Sequence, residues 1–210
     1  QTVPGVKPRD YILRLEDTDG DGKADKFTVF ADKLNIPTSL TFANGGLIVS
    51  QPPRFLFLKD TNGDDKADVR QDIITGWGIG DTHAQANNLH YGIDNWFYGC
   101  VGYSGFNGEV GGRRQQFAQG TYRFKADGSA LEFLHQFTNN SWAHSTNDAG
   151  DQFGGTANGA PIFFGGTWRQ TYGIHNYANS LSGGLFEVVP GYGHGSAVAA
   201  EIIAVLPQHL

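Results

Sequence analysis

The stretch DTDGDGKAD, residues 17–25, returns almost unchanged as DTNGDDKAD, residues 60–68. The flanks match as well. YILRLE (11–16) and RFLFLK (54–59) precede the two copies, and KFTVFA (26–31) and VRQDIIT (69–75) follow them. These flanks are rich in aromatic and aliphatic residues and read as strands. An acidic turn between two strands is a hairpin, so the sequence predicts one hairpin twice. A second unit also recurs. SLTFANGGLIVSQ (39–51) is strand, tight turn and strand. NLHYGIDNWFYGCVG (88–102) repeats that form with Asp94 and Asn95 at the turn, and AHSTNDAGDQFGGTA (143–157) reads as a third, more degraded copy.

Two hairpins in roughly 45–55 residues are the footprint of a four-stranded propeller blade. The expectation is therefore an all-β chain, residues 1–210 forming a single β-propeller domain or a fragment of one. By this measure it holds about four blades, as a small propeller or as part of a larger one with about six or more. A β-sandwich also has many short strands, but regular recurrence disfavours it. SAVAAEIIAVL (196–206) suits a helix or a buried strand equally.

Composition narrows the function. The 30 glycines are spread along the chain, as tight turns between short strands require. A net charge of −6 without a basic run argues against nucleic-acid and anionic-membrane partners. The single cysteine, Cys100, excludes an internal disulfide and a CxxCH haem attachment site. No run of about 18 apolar residues offers a membrane span. No signal peptide is visible, and the chain opens at Gln1 in what reads as the middle of a fold, so a mature or shortened polypeptide is expected.

The acidic turns carry hard oxygen ligands at calcium-loop spacing. Asp17, Asp19, Asp21 and Asp25 stand at positions 1, 3, 5 and 9, with Gly22 at the bend and the Lys23 carbonyl at position 7. The second copy offers Asp60, Asn62, Asp64, the Lys66 carbonyl and Asp68, with Asp65 where the first has glycine. Thr28 stands at position 12, where an EF-hand has its bidentate glutamate. The expected cofactor is calcium in a bracing role. The alternative is a pair of solvated polar turns, which favour the same residues.

Candidate chemistry gathers in GDTHAQANNLHYGIDNWFYGCVGYSG (80–105). His83, on a loop leading into a strand, suits a general base; the alternative is a loop histidine bonded to a neighbouring turn. His90, on the strand, faces either a central channel or the core. Arg113 and Arg114 suit an anionic cofactor, or else solvate a loop formed by NGEVGGRRQQ. Asn88 is a nearby amide. Asn140 and His144 in NNSWAHS hold the equivalent place in the next unit, lining the channel or forming a polar turn beside Trp142. His175 and His194 carry no role legible from their surroundings.

The segments LRLEDTDGDGKADKFTVFADKL, FLKDTNGDDKADVRQDIITG and GDTHAQANNLHYGIDNWFYG resemble the propeller domain of membrane-bound dehydrogenases from planctomycetes and related bacteria. That domain is similar to soluble quinoprotein glucose dehydrogenases. The resemblance covers about residues 9–165. It implies that His83 takes a proton from a sugar or alcohol hydroxyl while hydride passes to pyrroloquinoline quinone. The spacing after His83, AQANNL, is one residue longer than in those enzymes. Arg113, Arg114, Asn88, Asn140 and His144 would hold the quinone. A cytochrome or other separate electron acceptor would be the partner, in the bacterial periplasm or outside the cell. The competing expectation is a non-enzymatic, calcium-stabilised propeller that binds a glycan or a protein.

Overall fold

A computed structural model describes residues 7–136, 140–148, 150–157, 162–167 and 175–176. The segment 196–206 and His194 lie outside these. Among the described residues the regular structure is antiparallel β apart from one 3-10 turn, so the chain is all-β as expected. No helix among them is long and apolar enough to cross a membrane.

Strands β1 (Asp10–Glu16) and β2 (Lys26–Leu34) form a two-stranded hairpin around the first acidic turn. Then β3 (Ser39–Ala43), β4 (Gly46–Gln51), β5 (Arg54–Lys59) and β6 (Val69–Thr75) make a four-stranded meander, with the second acidic turn between its outer two strands. The β3–β4 turn has positive φ at Asn44 (51°) and Gly45 (72°). Both central residues in that region give the turn whose twist suits a two-residue hairpin.

After the 3-10 turn Thr82–Ala84 come β7 (Asn87–Tyr91), β8 (Phe97–Val101), β9 (Phe106–Val110), β10 (Arg113–Phe117), β11 (Gly120–Phe124) and β12 (Leu131–His135). Their second four-stranded sheet runs β7-β8-β11-β12, and β9 and β10 form a hairpin inserted between its middle strands. A third sheet contains β13 (Ser141–Thr146), β14 (Asp151–Thr156), β15 (Ile162–Thr167) and β16 (His175–Asn176) in sequence order. The first strands of successive sheets are neighbours, β3 with β7 and β7 with β13.

Two local expectations need correction. NGEVGGRRQQ is a strand pair turning at Gly111 and Gly112, both at positive φ, rather than an open loop. Its polar residues fall on both faces and leave no period-two signal to read. NNSWAHS likewise enters β13 from Ser141 onward instead of making a turn.

The first four-stranded sheet is packed on both faces. Leu47, Val49, Leu56 and Leu58 join Ile12, Ala31 and Leu34 of the β1–β2 hairpin in one core. Ile48 and Phe55 enter the other core with Trp77, Leu89, Phe97, Phe106, Tyr122 and Phe124. Alternate residues of β4 feed the two cores, as side chains on a strand must.

Trp77 is the centre of the larger core. It stacks on Phe55 of the first sheet (4.6 Å, 19°), meets Tyr122 of the second (4.5 Å) and the edge of Phe106 on the inserted hairpin (4.8 Å). One side chain thus ties three sheets together, and aromatic pairs at these spacings add to the burial of their area. Replacing Trp77 by alanine is expected to cost about 3–5 kcal/mol, the range for emptying a large aromatic site. Denaturant titration measures this; a loss under about 1 kcal/mol would contradict the role given to Trp77.

Candidate functional site

The most unusual polar cluster lies where β7 meets β13. The β7–β8 register passes from Asn87↔Cys100 to His90↔Tyr98, leaving Asn88 and Leu89 opposite Gly99 alone. This is a bulge, and Asn88 takes φ +57°, a conformation asparagine tolerates better than most residues. The bulge lets Asn88 donate from Nδ2 to the His144 carbonyl at 2.7 Å. His90 then lies 3.1 Å from His144, Nε2 to Nδ1, with the rings stacked at 4.9 Å. Tyr98 lies nearly parallel to His144, 5.3 Å away at 7°.

The bonds fix the protons. His90 Nδ1 is 3.0 Å from the Asn88 carbonyl, which only accepts, so Nδ1 carries the hydrogen. Neutral His90 therefore accepts at Nε2 from His144 Nδ1–H. That leaves His144 Nε2 as an acceptor, 3.3 Å from the atom placed as Oε1 of buried Gln152, which also accepts. The Gln152 amide must then turn its nitrogen toward His144, the two ends being interchangeable by rotation. Burial, with His90 close by, pushes His144 down to about 3. Burial also lowers His90, opposed by its bond to Asn88. The pair is a neutral, directional hydrogen-bond chain.

A second network adjoins it. The Tyr98 hydroxyl donates to Asp94 Oδ2 at 2.7 Å, and Arg123 Nη1 donates to the same oxygen at 3.0 Å. Burial, then this bond to Asp94, pushes the Tyr98 hydroxyl up to about 12, so it stays protonated. Arg123 also pairs with Glu132 at 2.7 Å.

His83 stands apart from both networks, on the 3-10 turn. Asp81 caps that turn, accepting from the His83 backbone N–H at 2.9 Å. The same carboxylate lies 3.5 Å from Nδ1 of His83, whose side chain is 68 % exposed. Asp81 is itself held by Ser104, which accepts from its N–H and donates to its carbonyl. Ser104 also lines a cavity of about 530 Å³ with Tyr103, Phe106 and Phe117.

The acidic turns fold alike. Asp17 accepts from Gly20 and Gly22, Asp19 from Asp21, and Asp21 from Lys23, all from backbone N–H groups. The second turn repeats this: Asp60 accepts from Asn62, Gly63 and Asp65, Asn62 from Asp64, and Asp64 from Lys66. Oxygens of Asp17, Asp19 and Asp21 lie within 4.8 Å of one another. Asp25 and Asp68 play a different part, each closing its turn by accepting from the N–H and hydroxyl of Thr18 or Thr61. Bonds from Gly22 and Gly20 hold the Asp17 carboxyl below its usual range. Asp65 adopts φ +66° at the bend, and its carboxylate grips Arg14 of β1.

Residues 1–182 match the family described as Domain of unknown function (DUF7133). The chain belongs to that family. No curated protein matches it.

Of the residues singled out in this DUF7133 chain, Asn88 and His144 come together. Arg113 and Arg114 are exposed on β10, and Arg114 bonds Asn107 on the facing strand. Asn140 is buried beside Gly102, with its N–H donated to Gln119. The sequence points to His90 but not to its extended network. Gln152, Asp94 and Arg123 are brought in only by tertiary packing, and Asp81 alone could have been found locally, as the cap two residues before His83.

Both histidines of the pair have lowered values, so their neutral forms favour folding. A free histidine titrates near 6.5, and His144 near 3 in the folded protein. The stabilisation is complete above the free value and is lost as pH falls through this interval. The slope is roughly 1.4 kcal/mol per pH unit per histidine. Melting temperature is expected to drop from pH 6.5 downward, and His144→Gln to flatten that limb. An equally steep limb in the variant would remove His144 from it.

Proposed function

We propose that the chain is a calcium-braced β-propeller segment of a periplasmic or secreted protein, serving as a ligand-binding domain on the plan of quinone-dependent sugar and alcohol dehydrogenases. The observation that carries the reading is the pair of acidic turns. They repeat one hydrogen-bond pattern at the outer hairpins of successive sheets, and that pattern fits a structural ion. Three four-stranded meanders with neighbouring first strands support the arrangement about an axis, β3, β7 and β13 being innermost.

The calcium donor set fits. Asp17, Asp19, Asp21 and the Lys23 carbonyl would hold one ion, and Asp60, Asn62, Asp64 and the Lys66 carbonyl a second. The ion would supply positive charge to clustered carboxylates that otherwise repel.

The quinone set does not fit. Arg113 and Arg114 are exposed on an inserted hairpin, whereas the imidazole of His144 is consumed by His90 and Gln152. One observation keeps an oxidoreductase as the second reading. His83 is exposed, its Nδ1 lies 3.5 Å from Asp81, and its Nε2 has no partner among the described residues, which suits proton abstraction from a hydroxyl.

Calcium is expected to raise the melting temperature in proportion to the logarithm of its concentration above Kd. Asp17→Asn with Asp19→Asn should remove most of that rise, and an equal rise in the double variant would end the first-loop assignment. For the second reading, the chain should oxidise a sugar or alcohol with an added redox dye as the two-electron acceptor, and His83→Ala should abolish this dye reduction. Dye reduction unchanged by His83→Ala, or none with a broad panel, would leave the binding domain alone standing.

A further inference from the structure

We infer that a cleft formed by three hairpin turns, at the opposite end of β7 from His83, binds the pyranose face of a neutral saccharide. This deepens the binding-domain reading by naming a site and a ligand class, and it rests on that reading only for the kind of function. His83 precedes β7, whereas the cleft begins at Tyr91, where β7 ends. The cleft has a volume of about 640 Å³ and runs between the β3–β4, β7–β8 and β11–β12 turns. That volume lies within the range of small-molecule sites.

Its walls offer two aromatic rings to solvent, Phe42 at 45 % and Tyr91 at 55 % exposure. The Tyr91 ring is held before any ligand arrives. It leans on Phe97 (5.0 Å, 55°), and its hydroxyl donates to Asn95 Oδ1. A fixed, exposed ring is a platform for the apolar face of a ligand, and covering it removes apolar area from water.

The polar rim has spare hydrogen-bonding capacity. Among the described residues the Asn44 side-chain amide makes no bond, and the Asn95 side chain gives only its oxygen, leaving its amide nitrogen. Both residues sit at turn corners with positive φ, 51° and 62°, so the backbone fixes where each side chain starts. Amides both donate and accept, as hydroxyl groups require.

The charges exclude other ligands. Lys125 is engaged with the Asn95 carbonyl at 3.0 Å and lies 4.1 Å above the Trp96 ring. Asp127 accepts from the Ser129 N–H at 2.9 Å. One committed positive and one committed negative charge favour neither an anion nor a cation. An extended peptide would need an open strand edge, but here the backbone is closed on itself, Gly92 N to Trp96 O and Lys125 N to Ala130 O. A flat apolar face ringed by hydroxyls is what remains, and a pyranose has that form.

The test is calorimetric titration of the whole chain with cellotriose, maltotriose and triacetylchitotriose, in calcium and again in EDTA, with tryptophan fluorescence as a second readout. At least one trisaccharide should saturate the protein, and Phe42→Ala and Tyr91→Ala should each weaken it about tenfold or more, near 1.4 kcal/mol. Asn44→Gly, which keeps the positive-φ turn, should weaken it without lowering the melting temperature. Should Tyr91→Ala fail to fold, Phe42→Ala and Asn44→Gly decide. No binding by the folded chain, or binding untouched by these variants, overturns the inference. So does saturation by choline or inorganic phosphate in place of sugar. Sugar binding that persists in EDTA, together with a melting temperature indifferent to calcium, would sink the brace and keep the cleft.

Discussion

The fold depends on one sheet being buried from both sides. In β4, Ile48 faces the aromatic core, while Leu47 and Val49 face the β1–β2 hairpin. A strand in that position has no tolerant direction. A slip of one residue would exchange the two sets and put side chains shaped for one core into the other. The register of the first four-stranded sheet is therefore set by packing on each face. The acidic turn at its outer end keeps its carboxylates outside both cores, while Ala67 packs against the smaller one and donates its N–H to the Phe30 carbonyl at 2.7 Å.

Trp77 does for the layers what β4 does for the register. It lies between sheets and belongs to no strand, yet it contacts rings from three of them. Gly99 shows how tightly the surroundings close, since a Cβ there would come within 2.5 Å of the Tyr122 hydroxyl. The bulge in β7 lies opposite that glycine. The crowding around Tyr122 and the placement of Asn88 and His90 are thus parts of one local arrangement, which connects the core to the histidine pair.

Much of this was legible in the sequence because it is local. The hairpins around 17–25 and 60–68, the Asn44–Gly45 turn and the β7–β8 pair each announce themselves through turn residues between apolar runs. The β9–β10 hairpin did not, because Arg113 to Gln116 are polar on both faces. The histidine pair was half legible. His90 and His144 stand out as residues, but their meeting depends on a bulge and on which sheets adjoin, and neither leaves a signature at a fixed spacing. Gln152 is the extreme case, a buried amide whose only cue is the neighbour it meets in space. Arg113 and Arg114 misled for the opposite reason: an arginine pair looks like an anion site until its strand is seen to face solvent.

The two acidic turns differ at two positions, Asp19 against Asn62 and Gly22 against Asp65, and the second difference has a use. Glycine at the bend is the easier choice, and the first turn has it. The second carries Asp65 there, in a backbone conformation unfavourable for a residue with a side chain, and that carboxylate moors Arg14 of the neighbouring hairpin. Asp65 lies against both Arg14 and Lys26 of the neighbouring hairpin. Symmetry between the modules is broken where one turn serves as a clasp, so transplanting the first loop into the second position would remove that clasp and leave the shared apolar core to hold the joint.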